Sequence, residues 1–263
     1  MSAVPETLPN PSIYNIVVLS GENTSVGKTM LSREVLRPGL TEIRGGCDFF
    51  QIEALDRTLQ EGAIRVGEED LPDLFKKLVV IRARKRASIT DIGGGQAERF
   101  FKVLEKNVSA RSRIDLFVLP MVPGLEESKV LSIVDKLIGY GTEPAKLVVV
   151  FNKVNGDTPG ALQALIKNSY PNLVAHSKEK GYRISDKFIN DAKVIAAHGP
   201  TPETTLYDTS ADTTDYSKRI EELAESGASD SELEKAAQQE WLRDEAIGVA
   251  DRFIEVFTDL VPV

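Results

Sequence analysis

The stretch Ile16-Val17-Val18-Leu19-Ser20-Gly21-Glu22-Asn23-Thr24-Ser25-Val26-Gly27-Lys28-Thr29 constrains this chain more than any other. A β-branched apolar run stops at a Ser-Gly turn, and a polar loop then delivers Gly27-Lys28-Thr29 to the start of the next element. Strand, loop and helix start in that order form a phosphate-binding cradle. Loop N–H groups and a helix N-terminus surround an anion without an opposing full charge. Lys28 supplies an ammonium for β- and γ-phosphates, Thr29 a hydroxyl ligand for Mg2+, and Gly27 room for the backbone to approach. Gly21, Asn23, Thr24, Ser25 and Val26 complete the expected cradle. The usual spacing G-x-x-x-x-G-K-[ST] places a glycine at position 22, where this chain has Glu22, and Gly21 stands one place early.

Further apolar runs read as buried parallel strands: Leu78 to Arg82 with Ala87 to Ile92, then Ile114 to Leu119, then Lys146 to Phe151. Helical patterns lie between them, at Ala97 to Lys106 and Glu126 to Ile138. Strands alternating with helices predict a three-layer α/β fold with a mostly parallel central sheet, and ligands at the carboxyl ends of its strands. Residues 13–263 read as one such domain, preceded by a Pro-rich, disordered arm over 1–12 that lacks the pattern of a signal peptide.

Asp91-Ile92-Gly93-Gly94-Gly95-Gln96 follows the run Ser88-Ile89-Thr90. A carboxylate at a strand end can hold Mg2+ through water, and the N–H groups of Gly94 or Gly95 can swing to a γ-phosphate. The plain alternative is a Gly-rich turn whose Asp caps the next helix. Phe151-Asn152-Lys153-Val154-Asn155 ends another strand. Guanine readers carry a carboxylate at the fourth position of Asn-Lys-x-Asp, whereas this chain has Asn155, so Asn152 points to adenine and the cofactors to ATP and Mg2+. Asn155-Gly156 also reads as a simple turn. The Pro-punctuated loop Leu119 to Gly124 either lines the base or a dimer face, or merely stops a strand.

The net charge of −8 argues against unspecific DNA attraction by the whole body. The cluster Arg82-Ala83-Arg84-Lys85-Arg86 reads as a solvated turn, with direct nucleic-acid contact the other reading. One cysteine, Cys47, fits a reducing, cytoplasmic setting. No stretch approaches the roughly 18 apolar residues of a membrane span. His176 and His198 have no metal-site spacing. The segment from Asp157 to Pro202 reads as helices broken at Tyr170-Pro171, and as a place for specificity or partner contact. A polar loop follows Thr201, then helices at Tyr216 to Ser226 and Ser229 to Phe257, the second opened by the capping box Ser229-Asp230-Ser231-Glu232. Leu233, Ala236, Ala237, Trp241, Ile247, Ala250, Phe253, Ile254 and Phe257 read as a stripe packed on the sheet.

Ser20-Gly21, Val26-Gly27-Lys28-Thr29, Asp91-Ile92-Gly93, Val118-Leu119-Pro120-Met121-Val122-Pro123 and Val149-Val150-Phe151-Asn152 occur in order. Together they resemble the ParA/MinD-type ATPases, and within that group the StbB-like proteins of plasmid stability and conjugation. The resemblance implies an ATP–Mg2+ site, slow hydrolysis, a nucleotide-dependent homodimer and a DNA-binding adaptor protein as partner. It implies catalytic roles for Lys28, Asp91 and a switch I carboxylate after the second strand. Glu42 and Asp48 are the candidates, and Asp48 is preferred. The lysine with which that family reaches across its dimer is replaced here by Asn23. The phosphate loop also resembles that of dethiobiotin synthetases, but their Lys-Pro pair is missing; Arg37-Pro38 stands before the strand instead. A non-hydrolysing, nucleotide-dependent scaffold is a third reading.

Overall fold

The structure is a computed structural model that describes residues 13–20, 26–53, 62–67, 69–156, 158–191 and 204–261. The arm expected over 1–12, and His198, lie outside the described residues. In chain order the elements are β1 (Asn15–Val18), helix α1 over 28–44, β2 (Cys47–Ile52), β3 (Ala63–Arg65), α2 (Leu71–Ala83), β4 (Ala87–Ile92) and α3 (Ala97–Lys106). They continue as α4 (Val108–Arg111), β5 (Leu116–Met121), α5 (Glu127–Gly139), β6 (Leu147–Val154), α6 (Pro159–Ser169), α7 (Pro171–Lys180) and β7 (Arg183–Asn190). Three helices end the chain: α8 (Leu206–Ser210), α9 (Tyr216–Glu225) and α10 (Asp230–Leu260).

The strands form one seven-stranded sheet in the order β3-β2-β4-β1-β5-β6-β7, with every pairing parallel. Parallel strands must be covered on both faces, which is why β1, β4 and β5 are buried along their whole length. One face packs against α2, α3, α5 and α7 through residues such as Leu74, Phe100, Val134 and Leu173. The other carries α1 and α10, through Leu31, Val35, Leu40, Phe253 and Val256. The chain therefore leaves β1 toward one face and β4 toward the other. A crevice opens between these adjacent strands at their carboxyl ends.

Most expected elements are present, and three differ. Leu78 to Arg82 is not a strand but the second half of α2. Leu71, Leu74, Phe75, Leu78 and Ile81 recur at helical spacing and are buried, while Val79 and Val80 are turned to solvent. β7 occupies the segment expected to be wholly helical between 157 and 202. β5 runs on through Pro120 to Met121. Pro120 lacks an N–H, but β1 has already ended at Val18, so no ladder bond is lost on that side. In α10 the capping box at Ser229 is formed, with Glu232 reaching back to the Ser229 N–H at 2.8 Å. Its apolar stripe divides: Ala236, Ala250, Phe253 and Phe257 are buried, but Trp241, Ile247 and Ile254 are 43%, 49% and 51% exposed and do not pack on the sheet.

Helix α1 is irregular. It is α-helical over Lys28–Met30, π-helical over Leu31–Leu36 and α-helical again over Arg37–Arg44. The wider turn ends just before Pro38, where a regular ladder would have lost a bond in any case. Below it, Gly39 faces Phe257 of α10 so closely that a Cβ would come within 2.6 Å of the ring. Gly39→Ala should therefore cost about 1–3 kcal/mol by overpacking, against the usual helical preference for alanine. Urea denaturation of Gly39→Ala, and of Gly39→Ala combined with Phe257→Leu, checks this: the second change should recover much of the loss.

Candidate functional site

Ser20, Val26 to Thr29, the end of β2, the end of β4 and the end of β6 meet at the crevice. Gly27 adopts a left-handed conformation, φ +79°, and caps α1. The Asn152 side chain, 1% exposed, donates from Nδ2 to the Val26 carbonyl at 3.0 Å and accepts from the Lys153 N–H at 2.9 Å. A Cβ on Gly27 would overlap Asn152 Nδ2. Glycine is thus required twice at this position, by its φ and by the amide seated against it. Asn152 thus anchors the residue before Gly27.

Lys28 is buried, with Nζ donating to Ser20 Oγ at 3.0 Å across the mouth of the loop. Thr29 Oγ1 donates to Asp91 Oδ2 at 2.7 Å, and Gln51 Nε2 approaches the same oxygen at 3.4 Å. Register explains the convergence, since Asp91 lies beside Val18 on one side and Gln51 on the other. Asp91 is 1% exposed, and its Oδ1 has no hydrogen-bond partner. Burial pushes its carboxyl up to about 6, against the pull of Thr29, Lys28 and Gln51 and with some help from Glu53.

A buried carboxylate oxygen without a donor, beside a hydroxyl and an ammonium, fits a hydrated hard cation. Among the described residues no group of three or more His, Cys, Asp or Glu could hold a metal by itself. A magnesium ion that arrives with phosphates needs only one or two protein ligands, and Thr29 and Asp91 supply them.

After β4, Gly93 donates to the Ile52 carbonyl at 2.8 Å, and the chain turns through a 3-10 segment, Gly94–Gln96, into α3. Gly94 is buried and Gly95 is exposed. A Cβ on Gly93 would overlap the Glu53 carboxylate. Among the described residues, Glu53 is therefore the acidic side chain that follows β2 at the crevice.

Asp48 is not there, and its expected role is corrected. It lies near the amino end of β2, in register with Ser88, and pairs with Arg86 at 2.6 Å. Three residues of strand separate that level from Gln51, about 10 Å. Glu42 lies within α1 and is likewise absent from the crevice. The signal for Glu53 was its place one residue past an apolar run, Phe49 to Ile52, once that run is read as a strand. Gly21, Asn23, Thr24 and Ser25 lie outside the described residues.

Other motifs resolve more plainly. The basic cluster is the turn from α2 to β4, at the opposite rim of the sheet; Arg82 pairs with Asp115 and Arg86 with Asp48. The loop after β5 is held by Tyr170, whose hydroxyl accepts from Gly124 N–H at 2.7 Å. His176 sits between Asp135, at 3.0 Å, and Tyr182, at 3.3 Å. Burial pushes the Cys47 thiol up to about 12, which makes it a poor nucleophile. Among the described residues, no helix is long and apolar enough to cross a membrane.

No protein-family profile matches this chain. No curated protein matches it. Eleven chains of solved structures do, among them a LAO/AO transport system kinase at 14% identity, covering 90% of this chain and 68% of that one with a TM-score of 0.38. A likeness that distant assigns no function. What the sheet order and the crevice define directly is a class: a three-layer, all-parallel α/β protein with a P-loop-type crevice.

The raised Asp91 carboxyl has a measurable consequence. In nucleotide-free protein the native state keeps this proton to about pH 6, while the unfolded chain releases it near 4. The native state therefore binds more protons in that window, and stability falls as pH rises through it. Between pH 5 and pH 8 the loss from this group should be about 1 kcal/mol, and Asp91→Asn should abolish it. Urea denaturation of both proteins at the two pH values measures the difference. Equal slopes would show that the carboxylate is not held as described.

Proposed function

We propose that this chain binds ATP with Mg2+ at the crevice and hydrolyses it slowly, as a nucleotide-dependent switch. The observation that carries this is the convergence of Lys28, Thr29 and Asp91 around a glycine-capped helix start at the β4/β1 crevice. In this reading the α1 N-terminus and Lys28 neutralise the phosphates, and Asn152 holds the loop that carries them. Bound magnesium would supply charge neutralisation between the phosphates, held by Thr29 and, through water, by Asp91. In this reading Glu53, rather than Asp48, orients the attacking water, which its place against Gly93 supports. Hydrolysis adds that water across the terminal phosphoanhydride and releases ADP and phosphate. Gly94 N–H, one turn away, would sense the phosphate that leaves.

The resemblance to ParA/MinD-type ATPases supports the further reading that ATP draws two copies together, and that the switch serves plasmid partition, stability or transfer in the cytoplasm. DNA would then be reached through a DNA-binding adaptor, because the chain is acidic and two members of the basic cluster, Arg82 and Arg86, are held in ion pairs.

Magnesium-dependent ATP and GTP binding, turnover and light scattering on purified protein test this together. Lys28→Ala should lower ATP affinity at least about 100-fold with the fold intact, in line with the loss of a charge-assisted phosphate contact. ATP affinity unchanged in Lys28→Ala would refute the site. Glu53→Gln should slow turnover at least about tenfold at unchanged ATP affinity, whereas Asp48→Asn should leave turnover alone. The reverse pattern would return the catalytic carboxylate to Asp48. ATP-dependent doubling of mass supports the dimer switch; tight binding at constant mass favours a monomeric scaffold.

A further inference from the structure

Gly93 is not a glycine for the sake of its backbone. At φ −58° and ψ 144° it is extended, a conformation open to any L-residue, unlike the left-handed Gly27. Its N–H is already committed to the Ile52 carbonyl at 2.8 Å, so it is not the donor that meets a terminal phosphate. What calls for glycine is the side chain lying on it. A Cβ at this position would overlap both Glu53 carboxylate oxygens and the carbon between them. The whole carboxylate therefore rests against the bare Cα of a buried residue.

The two strand ends fix where Glu53 begins. Ile52 lies beside Ile92, and the Gly93 bond to Ile52 carries that ladder one step past the strands. A glutamate side chain is flexible, so a fixed backbone does not by itself place the carboxylate. Among the described residues, Glu53 has no hydrogen bond or ion pair to hold it. The room left at Gly93 is what the structure offers in their place. Electrostatics show where that room lies. The Asp91 carboxyl is raised first by burial and then by the charge of Glu53, so the two carboxyls are within reach of one another. Glu53 is thus a carboxylate with its oxygens open to water, close to where Thr29 and Asp91 converge.

We propose that Gly93 is a positioning residue for hydrolysis: its missing side chain seats the Glu53 carboxylate where it aims the attacking water, a role that rests on the nucleotide reading of the crevice. Glu53 accepts a hydrogen bond from that water. The water oxygen bonds to the terminal phosphorus as the bond from phosphorus to the ADP oxygen breaks. One water hydrogen stays on the phosphate and the other is released as a proton. Any side chain at position 93 would push the carboxylate aside, and moving the end of a flexible glutamate disturbs little else. Alanine here should therefore spare the fold and the nucleotide while it removes the aim.

Turnover, ATP affinity and urea denaturation of Gly93→Ala, alone and with Glu53→Gln, test this, together with a crystal structure of Gly93→Ala. Gly93→Ala should slow turnover at least about tenfold, as Glu53→Gln does, with ATP affinity and urea midpoint unchanged. In the double variant the two losses should not add. In the crystal the Glu53 carboxylate should lie at least about 1 Å further from residue 93, at van der Waals distance from the new methyl, with the Thr29–Asp91 bond in place. Slow turnover in Glu53→Gln but normal turnover in Gly93→Ala would overturn the positioning role and leave the site standing. Normal turnover in both would overturn the role of Glu53 as well. A lowered urea midpoint in Gly93→Ala, or a carboxylate unmoved beside the alanine, would show that glycine serves packing there and overturn the proposal too.

Discussion

The Thr29–Asp91 contact is the point on which the rest of the architecture turns. A carboxylate at 1% exposure, one oxygen without a donor, is an unfavourable thing to build into the middle of a sheet. It is held there because β4 runs between β1 and β2, so its carboxyl end must face the phosphate loop on one side and Gln51 on the other. The helix start that brings Thr29 to it depends on the left-handed Gly27, and Gly27 depends on Asn152 of β6. Three strands and a loop are thereby tied to one small region. A buried carboxyl with one oxygen left without a donor is the usual mark of a site kept for binding rather than for stability.

The two helical layers divide the work. The layer of α2, α3, α5 and α7 closes an ordinary apolar face. The layer of α1 and α10 does more, because α1 begins at Lys28 and carries its π-turn against the C-terminal segment. Arg33 and Glu34 reach Thr204 and Leu206 from within that turn, and Gly39 receives Phe257 below it. The C-terminal helices are thus joined to the phosphate-loop helix by polar bonds as well as by apolar contact.

Some of this was legible in the residues. The run Ile16 to Val18 named its own strand and Gly27-Lys28-Thr29 its own helix start, since each residue type there answers a local geometric need. Ala97 to Lys106 and the capping box at Ser229 were equally plain, being local patterns of spacing and capping. Leu78 to Arg82 misled because a short apolar run has no period of its own; only the buried stripe back to Leu71 shows that it is helical. Asp48 misled for a related reason. Its distance along the chain from the phosphate loop was suitable, but a strand has two ends, and β2 carries it at the wrong one.

By itself the sequence determined the strand and the helix start on either side of the phosphate loop, the alternation of strands and helices and the capping box of the last helix, because those depend on neighbours a few residues away. The tertiary structure alone decided that Asn152 bonds the Val26 carbonyl, and that Glu53 lies against Gly93 at the carboxyl end of β2 while Asp48 lies near its amino end. It also decided that Arg33 reaches Thr204. These are contacts across 40 to 170 positions of chain, set by strand order and register, and no local spacing encodes which strand ends will lie side by side.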